Sequence, residues 1–265
     1  KLKCETQTRY PYLYQKKTLP NGLCRRRLYL NFKQTNMFSY YGSKSKIVNY
    51  YPPPKHKLII EPFAGSARYS LKYWQNDVLL VDKYPVIVDV WNYLKNASEG
   101  DILGLPKMKT GDCIDNYQLL TDTERMFLGF IVQISSGMRR TVSPFIEDTE
   151  PALKKIAKQL HKIRHWQIKL GSYNELENVE ATWFIDPPYM FGGHEYKCSN
   201  KQIDFKDLAE WCKTRNGQSI VCENTKADWL PFKRLKEMQG TMYKTTEAIW
   251  TNLPSSYNNT QIALF

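Results

Sequence analysis

The sequence has no apolar run of membrane-spanning length and no signal-peptide pattern at its start, so no membrane partner is expected. It has no CxxC pair. The six cysteines (4, 24, 113, 198, 212 and 222) are scattered, which argues against a disulfide framework and for reduced thiols in a reducing, cytoplasmic-type compartment. A zinc site built on Cys4 and Cys24 lacks a matching second ligand pair, and His194 stands alone in a loop, so no metal is expected. P-loop and catalytic-triad patterns are missing, as are internal repeats. Acidic residues are under-represented, with 26 Asp and Glu against 38 Lys and Arg.

What the chain does have is positive charge, in one place. The net charge is +12, and residues 1–36 carry nine basic residues against Glu5 alone, a surplus of eight. Clustered charge of this kind points to a polyanion, here nucleic acid, rather than to a generally basic surface. Within this stretch Tyr10, Tyr12 and Tyr14 alternate, Leu19-Pro20-Asn21-Gly22 signals a turn, and Leu28 to Phe32 supplies a second strand. The expectation is a basic β-hairpin arm whose Arg25, Arg26 and Arg27 contact phosphates. A solvated basic edge that discourages strand pairing is the plainer alternative.

At 265 residues with 42% hydrophobic content, the remainder is long enough for one large α/β domain with an insertion. Tyr40-Tyr41-Gly42-Ser43-Lys44 opens a short helical stretch that ends before Pro52-Pro53-Pro54. Leu58-Ile59-Ile60 is a strand, followed by Glu61-Pro62-Phe63-Ala64-Gly65-Ser66-Ala67 and a helix through Leu71 and Trp74. Strand, small-residue turn and helix form the layout of a nucleotide-type site at the first crossover of a doubly wound sheet. Val78 to Val81 makes a second strand ending in Asp82, where such folds bind a ribose diol. The alternative for Asp82 is a helix N-cap.

From Gly104 to about Arg164 the strand–helix rhythm breaks. Helices are expected over Thr123–Ile134 and Pro151–Ile163, separated by the basic loop Ser135–Thr141 with Arg139 and Arg140. This block is a natural substrate-recognition insertion, although any single lysine on it is better explained as the wet side of a helix. Ile168–Leu170 is a short strand closed by Gly171-Ser172-Tyr173. Beyond it lie a loop from Met190 to Asn200 hinged at Gly192-Gly193, a helix near Asp207–Lys213 and a strand at Ser219–Cys222. A terminal strand pair near Ala248–Trp250 and Gln261–Phe265 completes the sheet.

The most informative stretch is Asp186-Pro187-Pro188-Tyr189, which follows the apolar strand Ala181–Ile185. Two prolines donate no backbone N–H, so the chain must leave the sheet after Asp186, at the strand end that faces the ligand crevice. A carboxylate, rigid carbonyls and an aromatic face together suit an exocyclic amine on a flat ring. The acceptors take the amino protons and the ring stacks on Tyr189. An aromatic amine is a poor nucleophile, and fixed acceptors lower the cost of developing charge on its nitrogen. Taken alone, the tetrapeptide is equally compatible with a strand-ending turn.

In order, Tyr-x-Gly-Ser-Lys, Glu-Pro-Phe-Ala-Gly, a strand-end Asp and Asp-Pro-Pro-Tyr resemble the Dam-like group of DNA adenine-N6 methyltransferases, over residues 38 to 265. The resemblance implies a Rossmann-like α/β sheet over 37–103 and 166–265, a helical target-recognition insertion over 104–165, and S-adenosylmethionine as methyl donor. It implies that Tyr40 and Lys44 meet the methionine part of that cofactor, that Phe63 and Gly65 line the turn, and that Asp82 takes the ribose hydroxyls. Tyr173 would lie near the cofactor adenine and Glu61 near the methionine ammonium, with Asp186 bordering both ligands. Asp186, Pro187, Pro188 and Tyr189 would bind a target adenine flipped out of double-stranded DNA by a monomeric enzyme. Such an enzyme would sit with the nucleoid of a prokaryote or in a virus-infected cell, as one half of a restriction-modification pair or alone. One departure stands out: Ala67 occupies the place where the family often has a second glycine. The alternatives are an RNA adenine-N6 methyltransferase and a non-catalytic DNA-binding module on the same scaffold.

Overall fold

The computed structural model describes residues 36–40, 42, 44–45, 47–133, 138–192, 197–239 and 244–253. The expected arm over residues 1–36, with Arg25, Arg26 and Arg27, lies outside the described residues except for Asn36, as do His194 and the strand expected at Gln261–Phe265.

Among the described residues seven strands form one sheet: β1 (Leu58–Glu61), β2 (Asp77–Asp82), β3 (Gln167–Leu170), β4 (Ala181–Ile185), β5 (Gly217–Asn224), β6 (Lys233–Gln239) and β7 (Lys244–Thr251). Their order is β3-β2-β1-β4-β5-β7-β6. The first five are parallel, while β7 runs antiparallel between β5 and β6. Winding proceeds outward from β1 to β3, then restarts on the other side of β1 with β4. The crevice of this Rossmann-like α/β fold therefore opens at the carboxyl ends of β1 and β4.

Helices cover both faces: α1 (Arg68–Lys72), α2 (Pro85–Asn96), α3 (Glu99–Gly104), α4 (Asp122–Ile131), α5 (Glu150–Ala157) and α6 (Phe205–Lys213). Period-two alternation of the central strands feeds two cores. Ile59, Phe184, Ile220 and Cys222 join a core with Trp91 of α2, Phe127 and Phe130 of α4 and Leu153 of α5. Ile60, Trp183, Ile185 and Val221 face the other way, onto Leu208, Ala209 and Cys212 of α6. The helices of the 104–165 block thus share a core with the sheet; α4 packs on α2, and α5 packs on α3.

Four local expectations are corrected. Helix α1 stops at Lys72 instead of running through Trp74, because the Asn76 side-chain amide donates to the His56 and Lys57 carbonyls and turns the chain back into β2. The helix expected over Pro151–Ile163 ends at Ala157 and resumes as a 3₁₀ turn over Leu160–Ile163. There the Gln159 amide takes the Lys155 carbonyl at 2.9 Å, leaving it to no further helical turn. Helix α4 ends at Ile131, short of the expected Ile134, and starts at a capping box between Thr121 and Glu124. The partner of β7 is β6, which the sequence reading passed over. Among the described residues it is an edge strand, mostly charged and polar with no apolar alternation, as edges that resist further pairing tend to be.

Candidate active site

The chain leaves β4 at Ile185, one residue before Asp186, as the missing N–H groups of Pro187 and Pro188 require. Beyond them the Met190 N–H donates to Glu223 Oε2 at 2.9 Å, so the end of β5 holds the outgoing loop. Glu223 is fully buried and also accepts from the Asn224 N–H and the Trp229 indole; burial pushes its carboxyl up, and these donors hold it down.

Beside this turn lies a cleft of about 900 Å³, counting its open mouth. Its walls bring together Tyr40, Lys44, Glu61, Phe63, Gly65 and Asp82. Tyr173, Asp186 and Pro188 line it as well, whereas Pro187 and Tyr189 do not. Pro187 and Tyr189 belong to the same turn; Tyr189 is half-buried and contacts Lys44. Arg139 and Arg140 do not line the cleft. Both are exposed on the insertion, and Arg140 Nη1 lies 2.7 Å from Asp115 Oδ1.

The turn after β1 is backbone-driven. Gly65 has φ of +45°, and a Cβ there would meet the Tyr40 ring at 3.3 Å. Its carbonyl accepts from Trp91 Nε1 at 2.9 Å, which anchors the turn to α2. Ala67 also takes a left-handed conformation, φ +43°, so the departure noted in the sequence falls where the backbone favours glycine. The methyl is accommodated: Ala67 is buried and the cleft beside it stays open. Arg68, next in line, is buried against the cleft wall, and burial draws its guanidinium down to about 10.

Asp82 Oδ2 accepts the Gly65 N–H at 3.0 Å, and Oδ1 accepts the Tyr84 N–H at 2.9 Å. The carboxylate therefore ties the turns after β1 and β2 together. It does not cap α2, whose N-cap residue is Tyr84 and has no side-chain bond. The Lys83 N–H also acts on this carboxylate, which leaves acceptor capacity for one further donor, as a ligand hydroxyl would supply. Burial raises the Asp82 carboxyl against these N–H bonds. The Phe63 and Tyr173 rings meet at 5.7 Å with 30° between planes, and the Tyr173 hydroxyl donates to Asp207 at 2.7 Å.

Two acids, the buried Glu61 and the half-buried Asp186, give the cleft its electrostatic character. Glu61 is 2% exposed, accepts the Ser70 N–H at 2.8 Å, and forms no ion pair among the described residues. Burial pushes its carboxyl up to about 8, and the nearby Asp186 adds to the rise. Asp186 is raised to about 6 by burial, opposed by Lys44. Lys44 Nζ stands 2.9 Å from Asp186 Oδ1 and 3.6 Å from Glu247 Oε1, and it donates to the Tyr189 hydroxyl at 2.6 Å. The lysine expected to meet the methionine part of a cofactor is thus engaged with the Asp-Pro-Pro-Tyr turn. A cleft with a buried carboxylate that meets no cation among the described residues, a strand-end acid and an aromatic pair fits a ligand carrying an ammonium, a diol and a flat ring.

Glu223, Glu247, Tyr51 and Arg68 carried no role in the sequence reading. For Glu247 a signal existed: it has the same strand parity as Ile249, whose side chain packs on the core.

No helix among the described residues is long and apolar enough to cross a membrane, and no group of three or more metal-ligating side chains occurs among them. No family model matches the chain, and no curated protein matches it. Among solved structures the chain is similar to two provisionally named methyltransferases. One is YhhF from Escherichia coli, at 7% identity over 78% of each chain with a TM-score of 0.32. The other is the methylase HI0767 from Haemophilus influenzae, at 14% identity over 74% of this chain and 80% of that one, also with a TM-score of 0.32. At these values neither likeness bears on substrate or reaction.

Proposed function

We propose that the protein is an S-adenosylmethionine-dependent methyltransferase that modifies adenine N6 in double-stranded DNA. The observation that carries this reading is the convergence, on one cleft, of Lys44, Glu61, Phe63, Gly65, Asp82 and Tyr173 with the Asp186–Pro188 turn on its wall. When bound, the cofactor supplies an electrophilic methyl group on a sulfonium. Glu61 would hold its ammonium, Asp82 its ribose hydroxyls, and Phe63 and Tyr173 its adenine; the open backbone at Gly65 admits it.

Toward the target, Asp186 and the Pro187 carbonyl accept the two amino protons and fix the direction of the nitrogen lone pair. Tyr189 offers its ring as a stacking face, and its hydroxyl is already held by Lys44 and Glu247. Asp186 titrates near 6, so at neutral pH it is an ionised acceptor but not a strong base. After transfer the nitrogen gives up one proton, and Asp186 can receive it and pass it to water. Extruding the base costs a few kcal/mol, least where it is already unpaired.

The test is nucleoside mass spectrometry after incubation with S-adenosylmethionine and duplex DNA or RNA. N6-methyldeoxyadenosine is expected. Label in RNA alone would replace the substrate, and cofactor-free DNA binding without any label would favour the non-catalytic alternative. Asp186→Asn should lower turnover by at least about a hundredfold while leaving most DNA affinity. With wild-type enzyme, activity should fall as pH drops through about 6, because Asp186 must be ionised to accept.

A further inference from the structure

Glu247 lies on β7, outside the motifs that line the cleft, yet it reaches the Asp-Pro-Pro-Tyr turn. Its Oε1 accepts from the Tyr189 hydroxyl at 2.6 Å and from the Tyr51 hydroxyl at 2.6 Å. The same oxygen is 3.6 Å from Lys44 Nζ, which in turn bonds Asp186 and Tyr189. The side chain is 11% exposed, so these contacts are made largely out of water, where charge–charge terms are strong. One carboxylate thereby fixes the Tyr189 ring through its hydroxyl and holds the ammonium that neutralises Asp186.

We propose that Glu247 is a positioning residue for this site: it sets the orientation of Tyr189 and shares Lys44 with Asp186, so that the ammonium does not wholly neutralise the carboxylate that is to accept the substrate amine. This role rests on the methyltransferase reading. Without Glu247, Lys44 would turn wholly to Asp186, and Tyr189 would lose the acceptor that fixes its hydroxyl. The groups facing Asp186 are Lys44 from the segment before the 3₁₀ turn Val48–Tyr50, Glu61 of β1, Tyr51, Tyr189 of its own turn, Cys222 and Glu223 of β5, and Glu247 of β7. Of these, Glu247 and Glu223 raise Asp186 and Lys44 lowers it.

The experiment follows the carboxyl carbon of Asp186 by NMR titration in full-length protein labelled with ¹³C-aspartate, the signal assigned by its loss in Asp186→Asn. In Glu247→Gln the Asp186 midpoint should move to lower pH, because a neighbouring negative charge is gone. The acid limb of the kcat profile should move with it, and kcat should fall by about tenfold with KM for cofactor unchanged. Glu247→Asp keeps the charge but draws it back by one methylene. It should give a smaller shift of the same sign, and it serves if Glu247→Gln does not fold. A folded variant whose Asp186 titration and acid limb coincide with wild type, even with a lowered melting temperature, would reduce Glu247 to a structural tie between β7 and Tyr51 and overturn the proposal. A shifted titration in a protein that methylates nothing would instead leave the coupling standing and remove the methyltransferase reading.

Discussion

Glu61 is buried, ionisable and paired with no cation among the described residues, an arrangement that costs stability unless a ligand repays it. Its folded carboxyl titrates at about 8, above its ordinary range, so the native state binds a proton more tightly than the unfolded chain does. Stability from this group is therefore fully present below the unfolded value and is lost as pH rises through about 8. Asp186 acts in the same direction, with loss through about 6. Ligand-free protein should melt at lower temperature at pH 9 than at pH 5.5. Glu61→Gln should stabilise it at pH 9 by roughly 2–4 kcal/mol and have little effect near pH 4. The same variant should weaken S-adenosylmethionine in calorimetry by more than about tenfold. Equal melting curves for variant and wild type at pH 9 would mean that Glu61 finds a cation after all.

At the scale of elements, the turn between β1 and α1 is the strained part. Gly65 and Ala67 both take positive φ within three residues, while Asp82 and Trp91 clamp the turn from β2 and α2. A β-branched side chain at the second position adds a steric clash to the left-handed cost. Ala67→Val should thus destabilise by about 2–3 kcal/mol in chemical denaturation, whereas Ala67→Gly should stay within about 1 kcal/mol of wild type. A Val variant as stable as the Gly variant would show that the turn relaxes to an ordinary helical start. Elements were readable from sequence where local rules act alone. The Pro187-Pro188 pair ended β4, and apolar runs marked β1, β2 and β4. They were unreadable where a distant partner intervenes. Helix α1 stops short because Asn76 ties back to His56 and Lys57, and β6 exists because β7 supplies its ladder.

For the whole molecule, the net charge of +12 predicts that affinity for duplex DNA falls steeply with salt. Replacing Arg25, Arg26 and Arg27 together with glutamine should weaken binding evenly across sequences and reduce the slope of log K against log salt by at most about three. An unchanged slope in fluorescence anisotropy titrations would remove that stretch from the interface. The order of the cleft residues along the chain, from Tyr40 to Asp186, was set out in the sequence because Glu61, Gly65, Asp82 and Asp186 sit at strand ends or in the turns that follow them, and such positions are marked by proline, glycine and acidic residues nearby. The arrangement around Asp186 was not. Tyr189 and Glu247 are 58 positions apart, and Tyr51 and Glu247 are 196 apart. Whether such residues touch depends on strand order and register, with β7 inserted antiparallel beside β5, and on which face each side chain takes. The sequence by itself determined the strand ends, the turn chemistry and the carboxylate at the sheet rim, since these follow from the backbone preferences of neighbouring residues. Only the tertiary structure decided that Lys44 is shared between Asp186 and Glu247 and that Glu61 meets no counter-charge among the described residues, because burial and long-range pairing exist only once the sheet is assembled.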